Sequence, residues 1–210
     1  MGILLHKQIQ KQIKIETVMK KILIIDGHPN KESLNFALAN SYQKGAESSG
    51  AEVRKIRIAD LNFSPNLKYG YQKRTELEPD LVEALKAIQW ADHLVWVHPV
   101  WWGGLPAILK GFIDRVFLPG LTFSPIPDSW KWEKLLKGKT AHIITTLDQP
   151  AWYYGLVYNA PSVNQLKKCT LQFCGINKVT VTYIGIVKNS DENIRKKWLS
   201  KIEKSGQKLK

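Results

Sequence analysis

Five short runs of mostly apolar residues recur along the chain, separated by segments in which apolar residues return every three or four positions. Short runs rich in Val, Ile and Leu are typical of strands buried in a sheet. They lie at 20–26, 52–58, 94–97, 139–146 and 178–184. The second run alternates apolar with charged residues, which favours a place at or near an edge of the sheet.

The segments between these runs predict helices. Apolar residues at helical spacing occur at 34–48, 79–90, 106–117, 162–173 and 191–208. Ser33 precedes the first as an N-cap, and Pro106 opens the third at a position where a missing N–H does not matter. Strands that alternate with helices five times predict an α/β fold: one doubly wound, five-stranded parallel sheet with helices on both faces.

Three segments carry no regular pattern, and we predict them to be loops: 59–78, 118–138 and 147–161. Long loops inside a compact domain are usually functional lids or partner contacts. All three are rich in aromatic residues: Tyr69, Tyr71, Trp130, Trp132, Trp152, Tyr153, Tyr154 and Tyr158.

The third strand leads directly into a loop that joins aromatic residues to glycines. Trp101 and Trp102 stand beside Gly103 and Gly104, between a buried strand and a helix. In open α/β sheets ligands bind at the carboxyl ends of the strands. Indole rings next to glycine backbone offer flat walls that a ligand can approach closely. The same residues would also suit a core cap and a tight turn, but the position after a buried strand favours a ligand site.

Composition narrows the class of protein. With 210 residues, 44% of them hydrophobic and 23% charged, the chain fits one soluble globular domain. No apolar run approaches the roughly 18 residues of a membrane span, so we expect no membrane insertion. Cys169 and Cys174 supply neither a disulfide framework nor a metal motif, which favours a cytoplasmic protein without a metal site. Residues 1–18 lack the apolar core of a secretory signal and precede Met19, so we predict an N-terminal extension before a single domain at 19–210.

The net charge of +13 would attract nucleic acid or small molecules that carry phosphate. The lysines are scattered and no nucleic-acid motif is present, so we expect no nucleic-acid partner. A candidate phosphate site follows the first strand, where the loop GHPNKESLN at 27–35 ends at a helix N-terminus. Ser33 and Asn35 can add donors there, and Lys31 a charge. The loop contains neither G-x-G-x-x-G nor a P-loop.

Several motifs together resemble the flavodoxin-like NAD(P)H:quinone oxidoreductases. They are Asp26-Gly27-His28-Pro29, Ser33-Leu34-Asn35, His98-Pro99-Val100-Trp101-Trp102-Gly103, Pro106-Ala107-Ile108-Leu109-Lys110-Gly111, Asp114-Arg115-Val116-Phe117 and Phe173-Cys174-Gly175. The similarity extends from about residue 20 to about 186. Each motif alone is weak, and the combination is specific.

The resemblance implies a flavin-dependent enzyme that uses NAD(P)H to reduce quinones or similar aromatic acceptors by hydride transfer, in a ping-pong mechanism. Its cofactor would be FAD, with FMN as the alternative, and the sequence does not distinguish NADH from NADPH. By this likeness the flavin phosphates would contact His28, Ser33, Leu34 and Asn35. The ribityl chain and ring edge would contact Pro99, Val100, Trp101, Trp102 and Gly103, and the other side of the ring would face Thr145, Thr146, Leu147 and Asp148.

The chain departs from this family at two places. Leu147 and Asp148 stand where the family commonly has two glycines. Some members use a Tyr and His pair near the flavin; matching that Tyr to Tyr153 places Asn159 at the His position, so the pair is altered or lost. Tyr153 and Asn159 remain the candidate catalytic residues.

The aromatic loops suggest that a second subunit completes the site, so we expect a homodimer. Two other functions stay open: a flavodoxin-type electron carrier, and a redox-sensing regulatory subunit of a potassium efflux system. The basic charge speaks against the carrier, since such carriers are typically acidic.

Overall fold

The structure, a computed structural model, describes residues 19–208. The predicted extension at 1–18 lies outside these residues. The strands are β1 (Lys21–Asp26), β2 (Glu52–Arg57), β3 (His93–Pro99), β4 (Phe123–Pro125), β5 (Trp132–Lys134), β6 (Thr140–Thr146) and β7 (Lys178–Ile184). The α-helices are α1 (Leu34–Ser48), α2 (Pro79–Trp90), α3 (Ala107–Val116), α4 (Ala151–Leu156), α5 (Pro161–Asn164) and α6 (Glu192–Gln207). A π-helical segment, Gln165–Gln172, continues α5, and short 3₁₀ turns form at Ile58–Asp60 and Val187–Asn189.

Five parallel strands form the central sheet in the order β2-β1-β3-β6-β7. Counted along the chain this order is 2-1-3-4-5, that of doubly wound flavodoxin-like sheets. The predicted fold class is therefore confirmed, as is the edge position of the second strand. The central strand β3 is buried along its whole length, which agrees with its continuous apolar sequence.

Helices cover both faces of the sheet. On one face α2, α3 and the π-helical segment pack around Trp96 and Phe112. On the other face α1 and α6 pack together, and a Cβ on Gly45 or Gly206 would overlap the backbone of the facing helix. Glycines at these two positions let α1 and α6 approach closely over the sheet.

Two of the segments predicted as loops contain regular structure. Within 118–138, β4 and β5 form an antiparallel hairpin, stabilised where Phe123 packs edge-on against Trp132 and Phe173 with ring centroids 5.3 and 5.0 Å away. Within 147–161, the six-residue helix α4 forms. Elements this short depend on tertiary packing and span too few residues for hydrophobic periodicity to predict them.

Among residues 19–208, no helix is both long and apolar enough to cross a bilayer. Within the same residues, no group of three or more His, Cys, Asp or Glu side chains is placed to hold a metal ion.

Candidate active site

Three loops meet at the carboxyl edge of the sheet, where β1, β3 and β6 end. The strands lie side by side in parallel register, with Pro99 paired to Thr146. The predicted site residues at 28–35, 99–103 and 145–148 are therefore brought together at one edge, as expected for an open α/β sheet.

The first loop is shaped by a series of hydrogen bonds from backbone to side chain. The His28 N–H donates to Asp26 Oδ1 (3.0 Å), the Asn30 N–H to His28 Nδ1 (2.9 Å), and the Glu32 N–H to Asn30 Oδ1 (2.9 Å). Burial lowers the pKa of His28, so its ring is neutral at pH 7. Since Nδ1 accepts a hydrogen bond, the proton lies on Nε2, where it can be donated to an anion.

This loop ends at the start of α1. Ser33 Oγ accepts a hydrogen bond from the Phe36 N–H (3.1 Å), the geometry of an N-cap. The other N–H groups of the first turn have no intrahelical partner, which makes a helix start favourable for phosphate. Asn35 is buried and its Nδ2 donates to Thr146 Oγ1 (3.0 Å), so the start of α1 is tied to the end of β6.

The second loop is a tight turn that holds Trp102 outward. Trp101 and Gly104 exchange two backbone hydrogen bonds (3.1 and 2.9 Å). Trp102 and Gly103, between them, both have positive φ (51° and 75°), as a two-residue type I′ turn requires. A tryptophan at positive φ is uncommon, and here its side chain is fully exposed.

Two buried residues hold this turn from behind, Tyr154 through its hydroxyl and Ser162 through its backbone N–H. The carbonyl oxygen of Gly103 lies 3.0 Å from the Tyr154 hydroxyl and accepts from the Ser162 N–H (3.1 Å). The same hydroxyl lies 2.7 Å from Ser162 Oγ. Because Tyr154 is only 2% exposed and Ser162 is fully buried, these bonds fix the turn to α4 and α5.

In the third loop, Leu147 and Asp148 both contact other parts of the chain. Leu147 is buried against Tyr154, and its backbone is held by the end of β7 through Leu147 N–H to Ile184 O (3.0 Å). Asp148 Oδ1 accepts from the Lys188 N–H (2.7 Å). Both residues thus connect the loop to the segment after β7.

A cavity of about 510 Å³ opens between the second and third loops. It is lined by Val100, Trp102, Gly103, Leu147, Asp148, Gln149, Tyr154, Tyr158 and Pro161. Its volume falls within the range of roughly 300–1,000 Å³ that is usual for small-molecule sites, and its walls are mainly apolar and aromatic. A helix start suited to phosphate lies at the same edge, so the residues fit a flat aromatic cofactor that carries phosphate.

Not every predicted residue reaches this cavity. Val100, Trp102, Gly103, Leu147 and Asp148 line it. Pro99, Thr145 and Thr146 are buried at the strand ends below it, and Trp101 packs against the His28 ring with centroids 5.4 Å apart. Leu34 lies half-buried in the first turn of α1.

Neither candidate catalytic residue lines the cavity. Tyr153 contacts Tyr158 edge to face, with ring centroids 5.5 Å apart, and a hydrogen bond with Tyr158 raises the pKa of Tyr153. Asn159 is exposed at positive φ (58°). The cavity wall is instead made by Tyr154 and Tyr158. The turn of α4 separates the inward Tyr154 from Tyr153; Pro150, directly before α4, is the sequence signal that could have predicted this helix.

His98 lies beneath the second loop and is fully buried. Its Nδ1 lies 3.0 Å from Pro99 O and 3.5 Å from Thr145 Oγ1, while its Nε2 has no hydrogen-bond partner among the described residues. Burial lowers the pKa of His98 to about 4, so the ring is neutral at pH 7 and acts as a hydrogen-bonding support for the loop.

Known proteins match this chain over most of its length. The family profile described as a flavodoxin-like fold matches residues 20–205. An "Uncharacterized NAD(P)H oxidoreductase" of Haemophilus influenzae is 29% identical over 83% of this chain and 88% of its own length. A "Ribosyldihydronicotinamide dehydrogenase [quinone]" of Pongo abelii is 29% identical over 74% of this chain and 77% of its own.

A solved structure extends the comparison to a protein with bound cofactor. The FMN-dependent NADH-azoreductase of Bacillus anthracis, in complex with FMN, covers 91% of this chain and 99% of its own, with a TM-score of 0.72 and 19% identity. At this identity the likeness shows a shared fold.

Proposed function

The chain belongs to the family with the flavodoxin-like fold, and from that premise we propose that it is a flavin-dependent NAD(P)H oxidoreductase acting on quinones or similar aromatic acceptors. The cavity at the sheet edge carries the proposal, because it combines flat apolar walls with an adjoining helix start suited to phosphate. Relatives named as NAD(P)H oxidoreductase and quinone dehydrogenase support the same reaction class.

We assign the flavin to the three loops. His28, Ser33, Leu34 and Asn35 would hold its phosphate groups. The second loop (Pro99, Val100, Trp101, Trp102, Gly103) and the third (Thr145, Thr146, Leu147, Asp148) would enclose the ring. A bound flavin supplies reversible two-electron chemistry, which protein side chains lack.

The chain itself would position the reactants and exclude water. Trp102, Leu147 and Tyr158 offer walls against which a nicotinamide or quinone ring can stack. The Tyr154 hydroxyl and the Ser162 N–H both donate to Gly103 O and hold the second loop from behind, so a reacting ring would meet a preorganised surface. Tyr153, which packs on the lining residue Tyr158, and Asn159, the next residue after Tyr158, are proposed to contact the substrate.

A single cavity at this edge of the sheet favours a ping-pong mechanism, in which NAD(P)H would bind, give up its hydride and leave as NAD(P)+ before the acceptor enters the same space. For the cofactor we propose FAD, with FMN as the alternative that the B. anthracis azoreductase exemplifies. A cytoplasmic location remains a prediction.

We further propose a homodimer. A second cavity of about 540 Å³ has five aromatic side chains in its lining: Tyr71, Phe117, Phe123, Trp132 and Phe173. Tyr71 is 73% and Trp132 43% exposed, and a surface of this kind is typical of a protein contact. A second copy of the chain is the proposed occupant, and a mass measurement in solution tests it.

The function is tested by recording the flavin absorbance of the purified protein, then adding anaerobic NADPH or NADH, and finally menadione. We expect a flavin band that bleaches with the nicotinamide and returns with the quinone; flavin released by denaturation identifies FAD or FMN. A band that neither nicotinamide bleaches would support the carrier or the regulatory subunit. A protein that stays colourless after incubation with FAD and FMN would contradict all three readings.

A further inference from the structure

A buried carboxylate lies directly under the first loop. Asp26 is the last residue of β1, is fully buried, and accepts the His28 N–H through Oδ1. Its Oδ2 has no hydrogen-bond partner among residues 19–208. Burial raises the pKa of this carboxyl, while the His28 N–H and the positive charge of Arg57 act to lower it. A negative charge at this place would repel the phosphate that the loop is proposed to bind.

Arg57 is the only described cation paired with this carboxylate. It is the last residue of β2 and pairs with Asp26 in the parallel register. Its side chain is 8% exposed, and its Nε lies 3.5 Å from Asp26 Oδ2. Its Nη1 donates to both oxygens of Asp60 (2.8 Å each), and its guanidinium carbon lies 5.2 Å from the centre of the Phe36 ring.

One side of the guanidinium is left without a bond. Arg57 Nη2 is buried and has no hydrogen-bond partner among the described residues. Near the pair, Lys31 forms an ion pair with Asp60 at 3.5 Å, Lys55 lies over the same Phe36 ring, and His28 is neutral at pH 7. Removing Arg57 would therefore leave the Asp26 carboxylate, directly under the first loop, without a paired cation among residues 19–208.

We propose that Arg57 is a positioning and charge-balancing residue: it neutralises Asp26 so that the loop at 27–33 can accept a phosphate group of the flavin nucleotide. The inference rests on the proposed function and adds to it a residue outside the three loops. Asp26, held by Arg57, in turn fixes the His28 backbone at the start of the loop. If the pair had only a structural role, its loss would weaken the binding of every flavin equally. If it balances charge, its loss weakens the binding of phosphorylated flavins alone.

The test measures dissociation constants of the flavin-free protein for riboflavin, FMN and FAD by flavin fluorescence. We expect Arg57→Met to weaken binding of the preferred phosphorylated flavin at least about tenfold, and riboflavin binding by less than about twofold. Adding Asp26→Asn to Arg57→Met should restore most of the lost affinity. Lys55→Met is the matched control: Lys55 also lies over the Phe36 ring, 5.3 Å from its centre, but does not pair with Asp26, so its removal should leave the preference for phosphate unchanged.

The single variant Asp26→Asn keeps the test valid if Arg57→Met does not fold. Its side-chain oxygen can still accept the His28 N–H, and loss of the charge should tighten FMN or FAD binding while riboflavin binding stays the same. Equal weakening of all three flavins by Arg57→Met, or no recovery in the double variant, would overturn the inference while leaving the proposed function intact. A wild-type protein that binds none of the three flavins would refute the proposed function and the inference with it.

Discussion

Tyr154 provides a sharp test of how the second loop is held. Tyr154→Phe keeps the buried ring, which packs against Leu147 and Val163, and removes only the hydroxyl next to Gly103 O and Ser162 Oγ. Ser162 is fully buried, so its hydroxyl would lose this partner in a place that water does not reach. A buried polar group left unsatisfied costs about 1–3 kcal/mol.

We therefore expect Tyr154→Phe to reduce the free energy of unfolding by about 2 kcal/mol. The loss is limited to the bonds of the Tyr154 hydroxyl, because the Ser162 N–H keeps its bond to Gly103 O. For a chain of this size that corresponds to a fall in Tm of about 4–8 °C, measured by circular dichroism on the flavin-free protein. Flavin affinity should fall as well, because the turn that carries Trp102 loses one of its two anchors.

Tyr158→Phe is the matched control. Tyr158 lines the same cavity but is 50% exposed, so we expect a change in stability within about 0.5 kcal/mol. Equal destabilisation by the two substitutions, or wild-type stability of Tyr154→Phe, would refute the role given to the hydroxyl.

Three further predictions concern pH, the link between loops, and the exposed indole. Burial lowers the pKa of His93 to about 3 and that of His98 to about 4, so the free energy of unfolding has its full value above pH ~6.5 and declines as pH falls toward those pKa values. At pH 5 we expect each histidine to reduce the free energy of unfolding by about 2 kcal/mol. Urea unfolding at pH 7 and pH 5 measures this difference, and equal stability at the two pH values would contradict the prediction. Asn35→Ala should cost about 1–3 kcal/mol and weaken flavin binding, since it removes the buried amide that bonds across to β6; thermal unfolding and flavin titration check both effects. Trp102→Ala should leave stability unchanged, because the side chain is fully exposed, yet it should raise the flavin dissociation constant. Trp130→Ala, at an exposed site outside the cavity lining, is the control. Equal effects of the two substitutions on flavin binding would count against the proposed ring wall.

Much of the fold follows from local sequence, because its signals are short-range. The Ser33 N-cap and Pro79 mark the starts of α1 and α2 where they were predicted, and continuous apolar runs identify strands that are buried on both faces. Since parallel strands place all their carboxyl ends at one edge, the sequence also predicts which loops meet there.

Contacts between distant parts of the chain required the tertiary structure. The sequence by itself determined the doubly wound sheet and the loops that converge on the site. Only tertiary packing decided that Tyr154 rather than Tyr153 faces the cavity. Packing also brought Phe123, Trp132 and Phe173 into contact beside the β4–β5 hairpin. The pairing of Arg57 with Asp26 is of the same kind: the two residues are 31 positions apart, and only the parallel register of β1 and β2 brings them together. Periodicity and capping are set within a few residues of sequence, while the partner of a buried side chain is set by which strands and helices become neighbours.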